Sequence, residues 1–366
     1  MQSWRLAAIL GGGVAVAIAV VALLAAGVFS SAPTSRRGAI RVHVVSSTST
    51  TSTTVVHHVV PAPNPHLCPL TGEPAPGGQV PARPAIGVKI GNDPYSRPQT
   101  GLQHADIVYE EMAEGGITRY LAIFQCQQAP VIGPVRSVRF DDWHVLASYG
   151  HPILAFSGGI NEWNRVVASL KWLYDANGSF YPQANAYYRT SNKPAPWNYY
   201  TSTSALWKLD PTEHTPPPVQ FHYQPAPPAS AIPMAGVTIV NFAAGSNVVW
   251  RWDAAANQWE RYYGSQPDLN AAGVQQHATN VVVQVVTTRL GPYPESGTTT
   301  DTISNLVGHG VAYVFRNGKV EEGTWTNPKN GDVTQFRLRD GSTMTFEPGN
   351  TWVELVPTSY TVQLNP

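Results

Sequence analysis

The sequence predicts an α+β protein of two domains with mixed and antiparallel sheets, the second mostly β, placed after an N-terminal transmembrane helix. Three observations carry this. Residues Leu6–Phe29 hold no charge and almost no polar group, Pro211 to Pro233 includes eight prolines, and helical patterns are confined to the stretch before those prolines. Composition narrows the class. Of 366 residues only 13% are charged, about half the ~25% usual for soluble proteins. Yet 43% are hydrophobic, enough for a packed core and against wholesale disorder. Lys+Arg and Asp+Glu both number 23, which argues against a nucleic-acid binder working through a basic field. Two cysteines cannot build a disulfide-dense scaffold, and no C-x-x-C pair offers a zinc or redox site.

Residues 1–32 read as a membrane anchor or signal segment. The apolar run exceeds the about 20 residues a helix needs to cross the hydrocarbon core, and it outruns the roughly 7–15 of a signal-peptide apolar core. A retained anchor is the reading taken, although Ser30 and Ala32 also fit a cut after Ala32. Arg5 favours a cytoplasmic N-terminus, against Arg36, Arg37 and Arg41 on the other side. The expected address is the cell membrane, single-pass, with the remaining chain extracytoplasmic. Residues 33–65 form a tether, since Ser46–Thr54 is an unbroken hydroxyl run that buries nothing. His57 and His58 read as part of it rather than as metal ligands, and no metal site is expected. Folded domains are expected over 66–210 and 235–358, with a Pro-rich linker over 211–234 and a tail over 359–366. Residues 1–65 hold four Arg and no acid, so the rest carries 19 Lys+Arg against 23 Asp+Glu.

In the first domain, Ala85–Ile90, Asp106–Ala113 and Ile117–Cys126 read as strands. With Gly115-Gly116 as a two-residue hairpin loop, Met112 faces Arg119, whose diagonal neighbours are Glu110 and Glu114, while Glu111 points to the other face. These residues are either cross-strand ion pairs or a general acid/base carboxylate held against a guanidinium. Glu110, Glu111 and Glu114 are the catalytic candidates. Phe140, Trp143 and Ala147 recur at helical spacing behind Ser137 as a candidate N-cap. Arg136 and Arg139 beside that helix start suit an anion, or Asp141 and Asp142 simply neutralise them. Pro152–Ser157 is a strand followed by a helix, and Ser157 does not sit in a nucleophile elbow.

The runs CPLTGEPA from Cys68, RPAIGVKIGND from Arg83, RPQTGLQHADIVYEEMAEGGITRYLAIF from Arg97 and IGPVRSVR from Ile132 resemble the YerB-like family of bacterial surface lipoproteins. APWNYYTSTSALW from Ala195, GHGVAYVFRNGKVEEGTW from Gly308 and PGNTWVELVP from Pro348 continue the likeness through both domains. The resemblance implies a two-domain α+β extracytoplasmic protein of Gram-positive-type bacteria, with no established activity. Family members typically carry a lipid-modified cysteine after the signal. Here no Cys precedes Cys68, so a protein helix takes that place. The family's motif positions fall on Arg97, Glu114, Arg119, Arg136, Arg139, Arg189 and Asn198. Apart from Glu114, these are the expected binding residues. In an exported domain Cys68 and Cys126 are expected to form a disulfide, with two buried thiols as the alternative.

The second domain reads as sheet throughout: Val237–Phe242, Asn247–Trp252, Trp259–Tyr263, Asn280–Thr288 and Thr351–Val356. Two hairpins are signalled by Asn317-Gly318 and Asp340-Gly341. Trp250 and Trp252 are expected on one face and Trp259 and Tyr263 on the other, which suits a sheet packed on both sides better than a carbohydrate platform. No triad spacing, phosphate loop or cofactor motif occurs. Several guanidiniums with few carboxylates nearby point to an external anion. The leading expectation is therefore an envelope binding module for an anionic wall component or partner protein. The alternatives are a wall-polymer enzyme using one of the three Glu, and an assembly factor with no small ligand.

Overall fold

The computed structural model of the chain describes residues 64–366. The expected membrane segment and all but the end of the tether, His57 and His58 included, lie outside the described residues. Among the described residues no helix is long and apolar enough to cross a membrane.

The first half contributes β1 (Ile86–Gly91), β2 (Ile107–Met112), β3 (Thr118–Phe124), α1 (Phe140–Leu146), β4 (Ile153–Phe156), α2 (Asn161–Ser169), β5 (Tyr174–Asn177), β6 (Tyr187–Arg189), β7 (Tyr199–Thr201) and α3 (Thr203–Trp207). The second half is all strand: β8 (Ile232–Pro233), β9 (Gly236–Ala243), β10 (Ser246–Asp253), β11 (Gln258–Tyr263), β12 (Gln266–Pro267), β13 (His277–Ala278), β14 (Asn280–Val286), β15 (Thr288–Ser296) and β16 (Thr299–Ser304). It ends with β17 (Gly308–Arg316), β18 (Lys319–Asn327), β19 (Gln335–Leu338), β20 (Thr351–Pro357) and β21 (Val362–Asn365). The fold is mostly β, with less helix than the α+β expectation.

The two halves share one sheet. Its order is β19-β18-β17-β14-β20-β2-β3-β1-β4-β5, with β8 added at β18. The join is β20, parallel to both β14 and β2, with Val108 opposite Trp352 and Glu110 opposite Glu354. All seven residues of β20 are buried, as a central strand covered on both faces requires, Glu354 included. A second, antiparallel sheet, β12-β11-β10-β9-β21 with β13, covers one face of the first. There Trp250 meets Trp352 at 5.2 Å and Trp259 meets Phe315 at 5.5 Å. On the opposite face α1 and α2 pack Trp143, Leu146, Trp163 and Val167 against Leu121, Leu154 and Phe156.

Several expectations change. The Gly115-Gly116 hairpin has a three-residue loop, Glu114–Gly116, closed by Ala113 N–H donating to Ile117 O, with both glycines at positive φ. Met112 therefore pairs with Thr118, and Arg119 with Glu111. Because side chains alternate, this one-residue shift moves Glu111 onto the face of Arg119 and Glu110 to the other. In the β10–β11 hairpin Trp252 pairs with Trp259 and Trp250 with Arg261, so the Trp residues share one face, and that face is the buried one. The Pro-rich stretch over 211–234 is no free linker. Phe221 is buried, Phe346 and Gln224 bond across it, and the buried Arg316 guanidinium donates to Gln224 O at 2.7 Å and to Ala226 O. The expected tail ends in β21, which pairs with β9. Cys68 and Cys126 are bridged, with Cα atoms 6.0 Å apart.

Candidate functional site

The strands β1–β3 carry a polar cluster on each face. Toward the second sheet, Glu110 is wholly buried and accepts from Asn92 Nδ2 at 3.0 Å and Thr118 Oγ1 at 2.6 Å. Arg261, itself wholly buried, reaches across the layer boundary from β11 to Glu110 and to Asp268. Its Nε lies 3.8 Å from Glu354, which accepts from Trp250 Nε1 at 2.8 Å. Burial, reinforced by the Glu110 carboxylate, pushes Glu354 well above the ordinary carboxyl range. Arg261 holds Glu110 and Asp268 on its two Nη atoms. Arg97 belongs to this network: it donates to Asn92 and lies 3.6 Å over the Tyr263 ring.

On the opposite face β1 places Lys89 against Glu111 and, at 2.9 Å, Asp142, all without exposure. Asp142 also accepts from Arg139 N–H at 2.6 Å, so it caps α1 where Ser137 was expected to. Ser137 instead offers its carbonyl to Arg119 Nη1 at 2.8 Å. Glu114 bridges two guanidiniums, Arg119 Nη2 at 2.8 Å and Arg139 Nη2 at 2.6 Å. Burial alone would raise its pKa, but Arg119 and Arg139 outweigh burial and hold it at about 2. Glu114 is thus fixed as an anion and has no proton to give near neutrality.

Two carboxylates from the second half complete this cluster. Glu295 Oε2 lies 3.4 Å from Arg139 Nη1 and Asp301 Oδ1 3.3 Å from Arg139 Nε. Trp163 Nε1 donates to Glu295 at 2.6 Å, and Asp141 accepts from Ser304 N–H at 3.1 Å. Burial raises Asp301 to about 7 despite the pull of Arg139. Of the first-half guanidiniums, Arg139 gains carboxylates from the second half, while Arg119 keeps only Glu114. Glu295 and Asp301 were missed because Pro292 and Pro294 argue against a strand there. The signal available was the Ser296-Gly297 turn with the Thr-rich run after it.

Arg136 differs from its neighbours. It sits between β1 and β4, its N–H donating to Lys89 O and its carbonyl accepting from Ser157 N–H. Among the described residues no carboxylate lies within ion-pair distance of its guanidinium, and its Nε is buried without a hydrogen-bond partner. Asp93, the acid that acts most strongly on it, is engaged by Ser96 Oγ at 2.6 Å and by Tyr95 and Ser96 N–H. Arg136 lies 5.8 Å from the Trp197 ring, whose Nε1 is also buried and unpaired. Tyr95, 68% exposed, stacks at a tilt on Trp197 with centroids 4.7 Å apart. Lys193 ties the two loops by donating to Ser96 O at 2.6 Å and Pro98 O at 3.0 Å. Next to Trp197, Asn198 accepts from Arg189 Nη1 at 2.8 Å at the exposed end of β6, and Arg189 also lies over Tyr199, which is buried on β7.

Of the residues expected to bind, the structure thus brings Arg119, Arg136 and Arg139 together. It places Arg97 in the opposite cluster and pairs Arg189 with Asn198. A crevice between α1 and β20, lined by His144, Ser148, Gln220 and Gln284, has a volume of ≈ 30 Å³, about that of one water molecule and too small for a substrate. Among the described residues no group of His, Cys, Asp and Glu is arranged to hold a metal ion.

Comparison with known proteins places this architecture. Residues 70–215 match the family described as "Protein of unknown function (DUF3048) N-terminal domain", and residues 238–353 match the corresponding C-terminal domain. The "Putative lipoprotein YerB" of Bacillus subtilis (strain 168) is 28% identical over 297 residues, spanning 79% of this chain and 86% of the relative. The crystal structure of YerB protein from Bacillus subtilis aligns with a TM-score of 0.66 at 23% identity, over 81% of this chain and 99% of that one, a likeness of fold. With both halves matched in order, the chain belongs to the two-domain DUF3048 family of unknown function.

Proposed function

We propose that this chain is an extracytoplasmic, membrane-held binding protein that recognises an anionic group of the cell envelope through Arg136, with Tyr95 and Trp197 as its flanking rings. The observation that carries the reading is the Arg136 guanidinium, which has no carboxylate within ion-pair distance among the described residues while Arg119 and Arg139 beside it are saturated. A guanidinium with free donors next to the half-buried Trp197 ring and the exposed Tyr95 suits a carboxylate or phosphate carried on a sugar or peptide. The address rests on the apolar run Leu6–Phe29, the hydroxyl tether, a disulfide suited to an oxidising compartment, and a relative named as a putative lipoprotein. An enzymatic role for the three glutamates is disfavoured: Glu110 and Glu111 have no exposure, and Glu114 is pinned as an anion. A charge-assisted contact contributes about 1.5–3 kcal/mol. Arg136→Ala is therefore expected to weaken binding of the full-length chain to a cell-wall fraction by at least about tenfold, and added salt is expected to weaken the wild type. Equal wall binding by Arg136→Ala and wild type would leave only a structural role.

A further inference from the structure

Lys89 is the one buried lysine among the described residues, and the proposed binding role makes no use of it. Its seat follows from the packing of α1 on β1. Gly87 and Lys89 point to the same face of β1, and Asp142 and Leu146 lie one turn apart on the same side of α1. The missing side chain at Gly87 lets Leu146 close in, since a Cβ there would stand 3.0 Å from Leu146 Cδ1 and 3.2 Å from Leu121 Cδ1. With Leu146 over Gly87, Asp142 comes over Lys89, 2.9 Å from its Nζ. Glu111 meets the same nitrogen from β2, across the intervening β3. All three side chains have 0% exposure. Among the described residues neither Glu111 oxygen has a hydrogen-bond donor, so its contact with Lys89 stands alone. Asp142 is better supplied, because Arg139 N–H donates to it at 2.6 Å.

We propose that Lys89 and Glu111 become joined by an intramolecular amide, formed after folding between Nζ and Cδ, with Asp142 as the proton carrier. The amine nitrogen attacks the Glu111 carboxyl carbon, a C–N bond forms, and one C–O bond breaks. Of the three ammonium protons, one stays on the amide nitrogen and two leave with the Glu111 oxygen as water, by way of Asp142. A cation and an anion become one neutral amide, so no oxidant, cofactor or activated group is consumed. Three conditions favour the amide over a lasting ion pair. Burial, against the pull of Asp142 and with help from Arg119 and Arg139, holds Lys89 below the usual lysine range and so toward a nucleophilic free amine. The fold keeps amine and carboxyl in contact, which replaces an encounter in solution. Charges held without water are only partly offset by their mutual attraction, whereas the amide carries no charge into the same dry site. The product ties β1 to β2 over β3, on the face that α1 covers.

The test is peptide mapping of the full-length chain by mass spectrometry, after denaturation and reduction of the disulfide. Chymotrypsin cuts after tyrosine, so cleavage at Tyr95 and Tyr109 separates Lys89 from Glu111 unless the two are linked. A branched species is expected, with the Lys89 peptide joined to the Glu111 peptide at their summed mass less one water. Lys89→Met and Glu111→Ala are each expected to lose the branch. Asp142→Asn retains an acceptor for Arg139 N–H and is expected to lower the branched fraction of newly made chain at least about tenfold. Wild-type peptides carrying Lys89 and Glu111 recovered apart, each at its full mass, would overturn the proposal, whatever the variants' folds. A branch from Lys89 to Asp142 would overturn the choice of Glu111 as partner. A branch formed as fully in Asp142→Asn as in wild type would overturn the proton-carrier role.

Discussion

Arg261→Ala is expected to destabilise the fold by about 3–5 kcal/mol, because it strips the counter-charge from buried acids and leaves them unpaired. The side chain is wholly buried and has Glu110 and Asp268 on its two Nη atoms, with Glu354 at its Nε. Losing it leaves Glu110 with only Asn92 and Thr118 as donors, at 0% exposure. It also opens a cavity between Tyr120, Tyr263 and Trp352, whose rings surround the guanidinium at 5.6, 4.5 and 5.4 Å. Urea unfolding followed by tryptophan fluorescence measures this directly, since Trp250 and Trp352 sit at that boundary. Arg261→Lys is expected to recover only part of the loss, because an ammonium cannot span three carboxyls. A midpoint for Arg261→Ala equal to wild type would mean that Glu110 and Glu354 accommodate one another without the guanidinium.

Removing the Cys68–Cys126 bridge is expected to cost about 4 kcal/mol in the chain-entropy model for its loop, given a sequence separation of 58. The bridge fastens the start of the described chain, a stretch with little regular structure, to the segment just after β3. Both cysteines are buried, and Arg83 secures the same junction by donating to Gln125 O at 2.7 Å and Cys126 O at 3.0 Å. Cys68→Ser/Cys126→Ser should therefore lower the thermal midpoint, while α2 and β5, remote from the bridge, keep their amide protection at low temperature. An unchanged midpoint after complete reduction would show that packing around Ala75 and Val80 suffices.

The strands were legible where the pattern is local. Asn317-Gly318 does join Arg316 to Lys319, and β1, β3, β9 and β14 fall within a residue or two of expectation. Register was not. The Gly115-Gly116 pair serves a two-residue or a three-residue loop equally well, and that single residue decides whether Glu110 or Glu111 shares a face with Arg119. The parallel join of β2 to β20 has no local signature, since parallel neighbours need no turn between them. Without that join the two halves look separable, and the arginines of the first look short of anions. Glu295 and Asp301, which reach Arg139, and Arg261, which reaches Glu110, all arrive from the second half, so a charge count confined to the first misreads paired groups as binding groups. Arg136, beside the Trp197 ring that chain proximity does not reveal, is the member of the set left without a carboxylate among the described residues.

The central claim is that the two family segments are one folding unit, joined through β20 and through Arg139 and Glu110, which take counter-charges from the second. Separate expression of 64–235 and 236–366 tests it most directly, with cooperative thermal unfolding as the readout. Neither half is expected to show a cooperative transition alone. The first would expose the β2 edge and bury Arg139 without Glu295 and Asp301 and Glu110 without Arg261, and the second would lose the packing of Trp352 on Tyr120. A sharp, reversible transition in the isolated first segment, with Arg119 and Arg139 still shielded, would contradict the account.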